Sequence, residues 1–193
     1  MKIIKPNIHG IEQAVRQIIR GEIVFIPTDT VYGIAASPYK ANAVKKIFSI
    51  KKRSASNSLV LLCSDYKMAK KYAIFNKLAV KLINIFWPGP LTLILKKKST
   101  LKTKKLYSST NNLIGIRVPA HDVPKKIIKK CNFPILCTSA NISGKKSQIN
   151  IKGIKESFKN KKIIIINGGT TKFKKDSTVV DVTKNKINIL REG

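Results

Sequence analysis

The sequence predicts a mixed α/β (α+β) fold in which helices flank a twisted sheet of mixed strand direction. Three observations carry that expectation. Segments with apolar residues at helical spacing alternate irregularly with short runs rich in Val, Ile and Leu. Several of those runs are apolar throughout, which places them in a sheet covered on at least one face. No internal repeat and no Pro- or Gly-rich linker breaks the chain, so residues 1–193 are expected to form one domain.

The elements follow in order. Ile11, Val15, Ile18 and Ile19 give residues 11–20 a helical stripe, and Gly21 supplies the stop. Residues 22–26 read as a buried strand closed by Pro27. Ala43, Val44, Ile47 and Phe48 predict a second helix over 42–50, which runs into the basic cluster Lys51-Lys52-Arg53. Residues 59–63 are a short apolar run between Ser58 and Ser64, a further strand. Asp65 and Asn76 are N-cap residues for helices over 66–72 and 77–86. Residues 91–95 form a strand, and the Lys-, Ser- and Thr-rich stretch 96–112 after it reads as a mobile excursion. Strands are expected over 114–118, 135–137, 163–166, 178–182 and 187–190, and helices over 123–131 and 150–158.

Composition narrows the class. Hydrophobic residues make up 43% of the chain, enough for a packed core rather than a disordered tail. No run approaches the roughly 20 apolar residues of a membrane span. The start, Met1-Lys2-Ile3-Ile4-Lys5-Pro6, is too polar and too early broken for a signal peptide. Cys63, Cys131 and Cys137 have neither an even count nor metal-ligand spacing, so reduced buried thiols and a cytoplasmic location are expected. The formal charge is +30, with 34 lysines against five arginines at 16, 20, 53, 117 and 191. Such a field gathers polyanions. The Lys excess, together with abundant Ile and Asn, is equally what AT-rich coding imposes. The charge is therefore compatible with binding tRNA or ATP and proves neither.

Three polar loops follow apolar strands, where α/β proteins commonly place ligand groups. Pro27-Thr28-Asp29-Thr30-Val31-Tyr32-Gly33 offers two hydroxyls, a carboxylate and a phenol, or an ordinary turn in which Asp29 caps its own backbone. Lys51-Lys52-Arg53 at a helix end is either a solvated C-terminus favoured by the helix dipole or a phosphate clamp. Thr138-Ser139-Ala140-Asn141-Ile142-Ser143-Gly144 crowds hydroxyl and amide groups that could surround a phosphate, or cap the next helix. It is no Walker A loop. Phe86-Trp87-Pro88-Gly89-Pro90-Leu91-Thr92 reads as a rigid strand entry. Arg117 sits inside a strand-like run, where its charge needs a partner or an anionic ligand. Asp176-Ser177-Thr178-Val179-Val180-Asp181 places hydroxyls and carboxylates at a strand start. His9 and His121 belong to no Ser/His/Asp or metal arrangement and are expected on the surface. No side-chain metal site is expected. Nine acidic residues leave little for paired-carboxylate hydrolysis, and what remains is chemistry by positioning and charge stabilisation.

Together these segments resemble the YrdC/Sua5 family in its short bacterial form. Six matches run in order from Pro27 to Asp181: Pro-Thr-Asp-Thr-Val-Tyr-Gly, Lys-x-Arg, Phe-Trp-Pro-Gly-Pro-Leu-Thr, Arg-Val-Pro, Thr-Ser-Ala-Asn-x-Ser-Gly and Ser-Thr-Val-Val-Asp. The chain departs from the family pattern at Ser54 and Ser58, and Leu62 stands where some longer relatives have a histidine.

The resemblance implies a single YrdC-like domain with a basic concave surface. It also implies an L-threonylcarbamoyladenylate synthase: threonine and bicarbonate or CO2 give a carbamate, which attacks the α-phosphate of ATP. A separate threonylcarbamoyl-transferase complex would pass the group to adenosine 37 of tRNA. The family tetrad maps onto Lys51, Arg53, Ser139 and Asn141 as catalytic and ATP-binding residues, with Mg²⁺ carried on the ATP. Threonine would be held by Thr30, Arg117 and Ser177. Two rivals remain: a non-catalytic relative that binds tRNA or double-stranded RNA, and a carbamoyl-adenylate chemistry like that of the related domain in hydrogenase maturation factors.

Overall fold

Asn7 accepts the Gly10 amide through Oδ1 at 3.0 Å, which starts α1 (Ile8–Arg20) ahead of its apolar stripe. Gly21 ends it in the left-handed region at φ 85°, as its place after the stripe predicts. The structure is a computed structural model describing residues 1–52, 54, 59–100, 112–159, 161–184 and 186–193. Part of the expected 96–112 excursion, residues 101–111, lies outside the described residues.

Before α1 comes β1 (Lys2–Ile4), and after it β2 (Val24–Ile26) and β3 (Gly33–Ala36). Next are α2 (Ala41–Lys51), β4 (Val60–Leu62), α3 (Tyr66–Ala69), β5 (Ala73–Ile74) and α4 (Lys77–Phe86). Asp65 and Asn76 cap α3 and α4 as their identity predicts, accepting the Met68 and Ala79 amides. The chain continues with β6 (Leu91–Lys97), β7 (Leu113–Arg117), α5 (Asp122–Cys131) and β8 (Ile135–Ser139). It closes with α6 (Ile151–Ser157), β9 (Ile164–Ile166), β10 (Thr178–Asp181) and β11 (Asn188–Arg191).

The described strands form one mixed sheet in the order β1-β9-β2-β3-β8-β4-β7-β6-β10-β11, with β5 added beside β6. Strands β1, β3 and β5 were not predicted. The first and last are three and two residues long. Gly-Ile-Ala-Ala in β3 has little intrinsic strand preference; antiparallel partners on both sides, β2 and β8, hold it. Residues 66–72, expected as one helix, make the single turn α3 and then bend toward β5.

Side chains alternate across the sheet. Phe25, Ile34, Leu61, Leu136 and Ile165 face a core completed by residues of α2, α4 and α6. Val24, Ile26, Ala35, Leu62, Ile135 and Ile166 face the other way, packed with α1 and α5. Ile18 of α1 and Ile127 and Ile128 of α5 are fully buried there, each contributing on the order of 1.5–3 kcal/mol. On this second face the strands β4, β7, β6 and β10 turn Val60, Gly115, Arg117, Thr92, Ile94 and Val179 toward a cleft instead of a helix.

Candidate active site

One end of the cleft is built by the loop after β2 and the last residue of β7. Arg117, only 6% exposed, uses all three guanidinium nitrogens. Nε donates to the Gly89 carbonyl (2.9 Å), Nη1 to Thr30 Oγ1 (2.9 Å) and Nη2 to Asp29 Oδ1 (2.7 Å). The charge inside a strand therefore has its partner, Asp29, which is 2% exposed. Gly89 belongs to the Trp-Pro-Gly-Pro turn, where the Trp87–Pro88 peptide is cis and Trp87 Nε1 donates to the Leu91 carbonyl at 2.7 Å. That turn is structural, as expected, yet it also supplies an acceptor to Arg117.

Across the cleft, Ser177 Oγ lies 2.9 Å from Thr92 Oγ1. Arg191 on β11 donates from Nε to the Ser177 carbonyl (3.0 Å) and from Nη2 to Ser177 Oγ (3.1 Å).

The other end joins α2 to the loop after β8. Lys51, 2% exposed at the C-terminus of α2, donates from Nζ to the Ser139 carbonyl, to the Asn141 carbonyl (2.9 Å) and to Asn141 Oδ1 (2.9 Å). Its own carbonyl accepts the Ser143 amide at 2.8 Å. Asn141 Oδ1 also accepts Ser139 Oγ–H (2.7 Å), while Asn141 Nδ2 donates to the Ile142 and Lys145 carbonyls. An ammonium has three protons and no acceptor, and the 139–141 loop turns three acceptors toward it. The helix end and the loop are thus one hydrogen-bonded unit.

Thr30, Arg117, Ser177 and Ser139 all line the same cleft of about 240 Å³. Lys51 and Asn141 stand behind Ser139 and do not line it. Arg53, the remaining expected tetrad member, lies outside the described residues. Sequence reasoning missed Arg191, Thr92 and the Asp29–Arg117 pair. The scarcity of arginine was the available signal: among 34 lysines, an arginine kept at 117 or 191 marks planar, multi-pronged hydrogen bonding.

His121 corrects an expectation. It is half-buried, not a surface residue: its Nδ1 accepts the Val123 amide at 3.1 Å and caps α5. Burial lowers its pKa, with Asp29 and Asp122 pulling the other way. Cys137 also lines the cleft, its thiol pushed up to about 12 by burial. A Cβ on Gly33 would come within 2.3 Å of that sulfur, which is why glycine faces it. Burial likewise raises Tyr32, whose hydroxyl donates to the Gly169 carbonyl and accepts the Gly168 amide. Among the described residues no group of three or more His, Cys, Asp or Glu could hold a metal ion, and no helix is long and apolar enough to cross a membrane.

Residues 16–193 match the family model Sua5_yciO_yrdC, described as telomere recombination. A protein of Methanocaldococcus jannaschii is 39% identical over 179 residues, covering 92% of this chain and 83% of its own length. The threonylcarbamoyl-AMP synthase of Pyrococcus abyssi is 37% identical over 177 residues, covering 91% of this chain but 52% of its own. The crystal structure of P. abyssi Sua5 complexed with L-threonine superposes with a TM-score of 0.86 at 35% identity, over 98% of this chain and 56% of that one. The chain thus spans about half the length of the P. abyssi protein.

Proposed function

The chain belongs to the Sua5/YciO/YrdC family, and on that premise we propose that it is an L-threonylcarbamoyladenylate synthase. The observation that carries this reading is the meeting, at one cleft, of Arg117, Thr30 and Ser177 with Ser139, whose loop is bonded to Lys51 and Asn141 behind it. Residues 1–193 act as one YrdC-like domain, in the cytoplasm.

Arg117 and Thr30 meet the head group of L-threonine, and Ser177, fixed by Thr92 and Arg191, closes over it. Val60, Leu62 and Ile94 give the same cleft an apolar floor against the substrate methyl. The neutral amine of threonine combines with bicarbonate, losing water, to give the carbamate. A carbamate oxygen then attacks the α-phosphorus of ATP and pyrophosphate leaves. Such in-line displacement depends on positioning and on neutralising spreading charge. Ser139 presents its hydroxyl at the nucleotide end, swinging its proton from Asn141 to a phosphate oxygen. Lys51 and Asn141 hold the loop that carries Ser139. Arg53, next but one after Lys51, supplies a guanidinium to the triphosphate. Mg²⁺ enters with ATP on the phosphate oxygens. The product passes to a separate threonylcarbamoyl-transferase complex and on to tRNA.

Incubation with ATP, bicarbonate and labelled threonine should release pyrophosphate and a labelled adenylate. A second reading rests on the charge of +30: a module that binds tRNA or double-stranded RNA. Tight, salt-dependent tRNA binding with no pyrophosphate release would favour it. Turnover of carbamoyl phosphate in place of threonine would point to the carbamoyl-adenylate chemistry.

A further inference from the structure

Asp29 does not line the cleft, yet it is buried directly behind the two residues that do. Its Oδ1 takes Arg117 Nη2–H at 2.7 Å, and its Oδ2 is a buried oxygen with no hydrogen-bond partner among the described residues. A half-satisfied buried carboxylate is costly, so its retention calls for a use beyond packing.

The hydroxyls of Thr28 and Thr30 flank it in the chain and share its arginine. Thr28 Oγ–H donates to the Val31 carbonyl at 2.6 Å. A hydroxyl has one proton, so in the 3.0 Å contact between Thr28 Oγ1 and Thr30 Oγ1 the donor is Thr30. Thr30 Oγ1 in turn accepts Arg117 Nη1–H. The relay therefore runs one way, Arg117 to Thr30 to Thr28 to Val31. Thr30 has no proton left and offers the cleft a lone pair only. Arg117 has used one N–H on each nitrogen and keeps one on each Nη with no partner among the described residues, donors available to an anionic group.

We propose that Asp29 is the positioning residue of the amino-acid end. It holds the guanidinium in the rotation that keeps Nη1–H on Thr30, already an acceptor through Thr28, and turns the remaining donors toward a carboxylate. The cleft end thereby selects a ligand with a carboxylate next to a hydrogen-bond donor, in one orientation. This rests on the reading that the cleft binds an amino acid.

The test is steady-state kinetics of Asp29→Ala, Asp29→Asn and Arg117→Gln. Asp29→Ala should raise the KM for threonine at least tenfold and leave the KM for ATP within twofold. Asp29→Asn, which keeps an acceptor at Oδ1, should return the threonine KM to within threefold of wild type. A threonine KM within twofold of wild type in Asp29→Ala, or an equal rise in both KM values, overturns the proposal. If Arg117→Gln raises the threonine KM while Asp29→Ala does not, only the positioning role fails; if neither does, the amino-acid reading of this end fails with it. Should Asp29→Ala not fold, NMR of the wild type decides. Arg117 Nη protons, assigned by their loss in Arg117→Gln, should give separate signals of a slowly rotating guanidinium, and averaged signals overturn the proposal.

Discussion

Replacing Lys51 with methionine keeps the aliphatic stem and removes the ammonium that ties α2 to the loop after β8. Three acceptors lose the ammonium: the carbonyls of Ser139 and Asn141, and Asn141 Oδ1, of which the first keeps the Asn141 amide and the last keeps Ser139 Oγ–H. Hydrogen bonds from a charged donor are worth about 1.5–3 kcal/mol each, but three from one atom do not add, and the variant no longer buries a charge. Taken as sub-additive, the three bonds together put the loss at about 3–5 kcal/mol. At roughly 2–4 °C per kcal/mol for a chain of this size, Tm should fall by about 6–20 °C. Turnover should fall at least tenfold, about 1.4 kcal/mol of barrier, because the loop that carries Ser139 loses its anchor. Thermal melts, pyrophosphate release and hydrogen exchange of amides 139–145 measure the three consequences. A Tm within 2 °C of wild type with turnover within twofold would refute this reasoning and return Lys51 to a solvated helix end.

Gly33→Ala places a Cβ 2.3 Å from Cys137 Sγ and should cost about 1–3 kcal/mol; adding Cys137→Ala removes the clashing atom and should recover most of it in denaturant melts. His121 has a lowered pKa in the fold, so the unfolded chain binds more protons below its ordinary value of about 6.5. Its contribution is therefore fully present above that value and is lost as pH falls toward the folded pKa. His121→Asn, which keeps a capping acceptor, should flatten the stability profile between about pH 7 and pH 5, and an unchanged slope would remove His121 as its source. The thiols of Cys131 and Cys137 are pushed up to about 11 and about 12, and Cys63 higher still, all by burial. A thiol reagent at pH 8 should label the native protein far more slowly than the denatured one, and rapid native labelling would contradict the packing.

Long periodic segments were legible in the sequence. Residues 77–86 are a helix as capping by Asn76 and the apolar spacing predict, and residues 178–181 and 91–97 pair side by side in the sheet. Strand β3 was not, because Gly-Ile-Ala-Ala becomes a strand only through its two neighbours. At the cleft, Thr30, Arg117, Ser177 and Ser139 could be named from loop chemistry, since hydroxyls and a charge at strand ends announce themselves. What those side chains bond to could not. Asp29 read as a turn cap and proves to be the partner of a residue 88 positions away. Likewise, a lysine ending a helix in a lysine-rich chain gives no sign that its ammonium is turned inward to a loop 88–90 positions on.

The pairing of β1 with β9 has a temporal cost. Lys2 finds its partner at Ile164, and β2 needs the same strand, so one edge of the sheet stays open until some 160 residues have been synthesised. At about 5–20 residues per second that interval is on the order of 10–30 s. Throughout it the Val-Phe-Ile run of β2 lacks one neighbour, and the emerging chain depends on its own lysines, or on a chaperone, to stay out of aggregates.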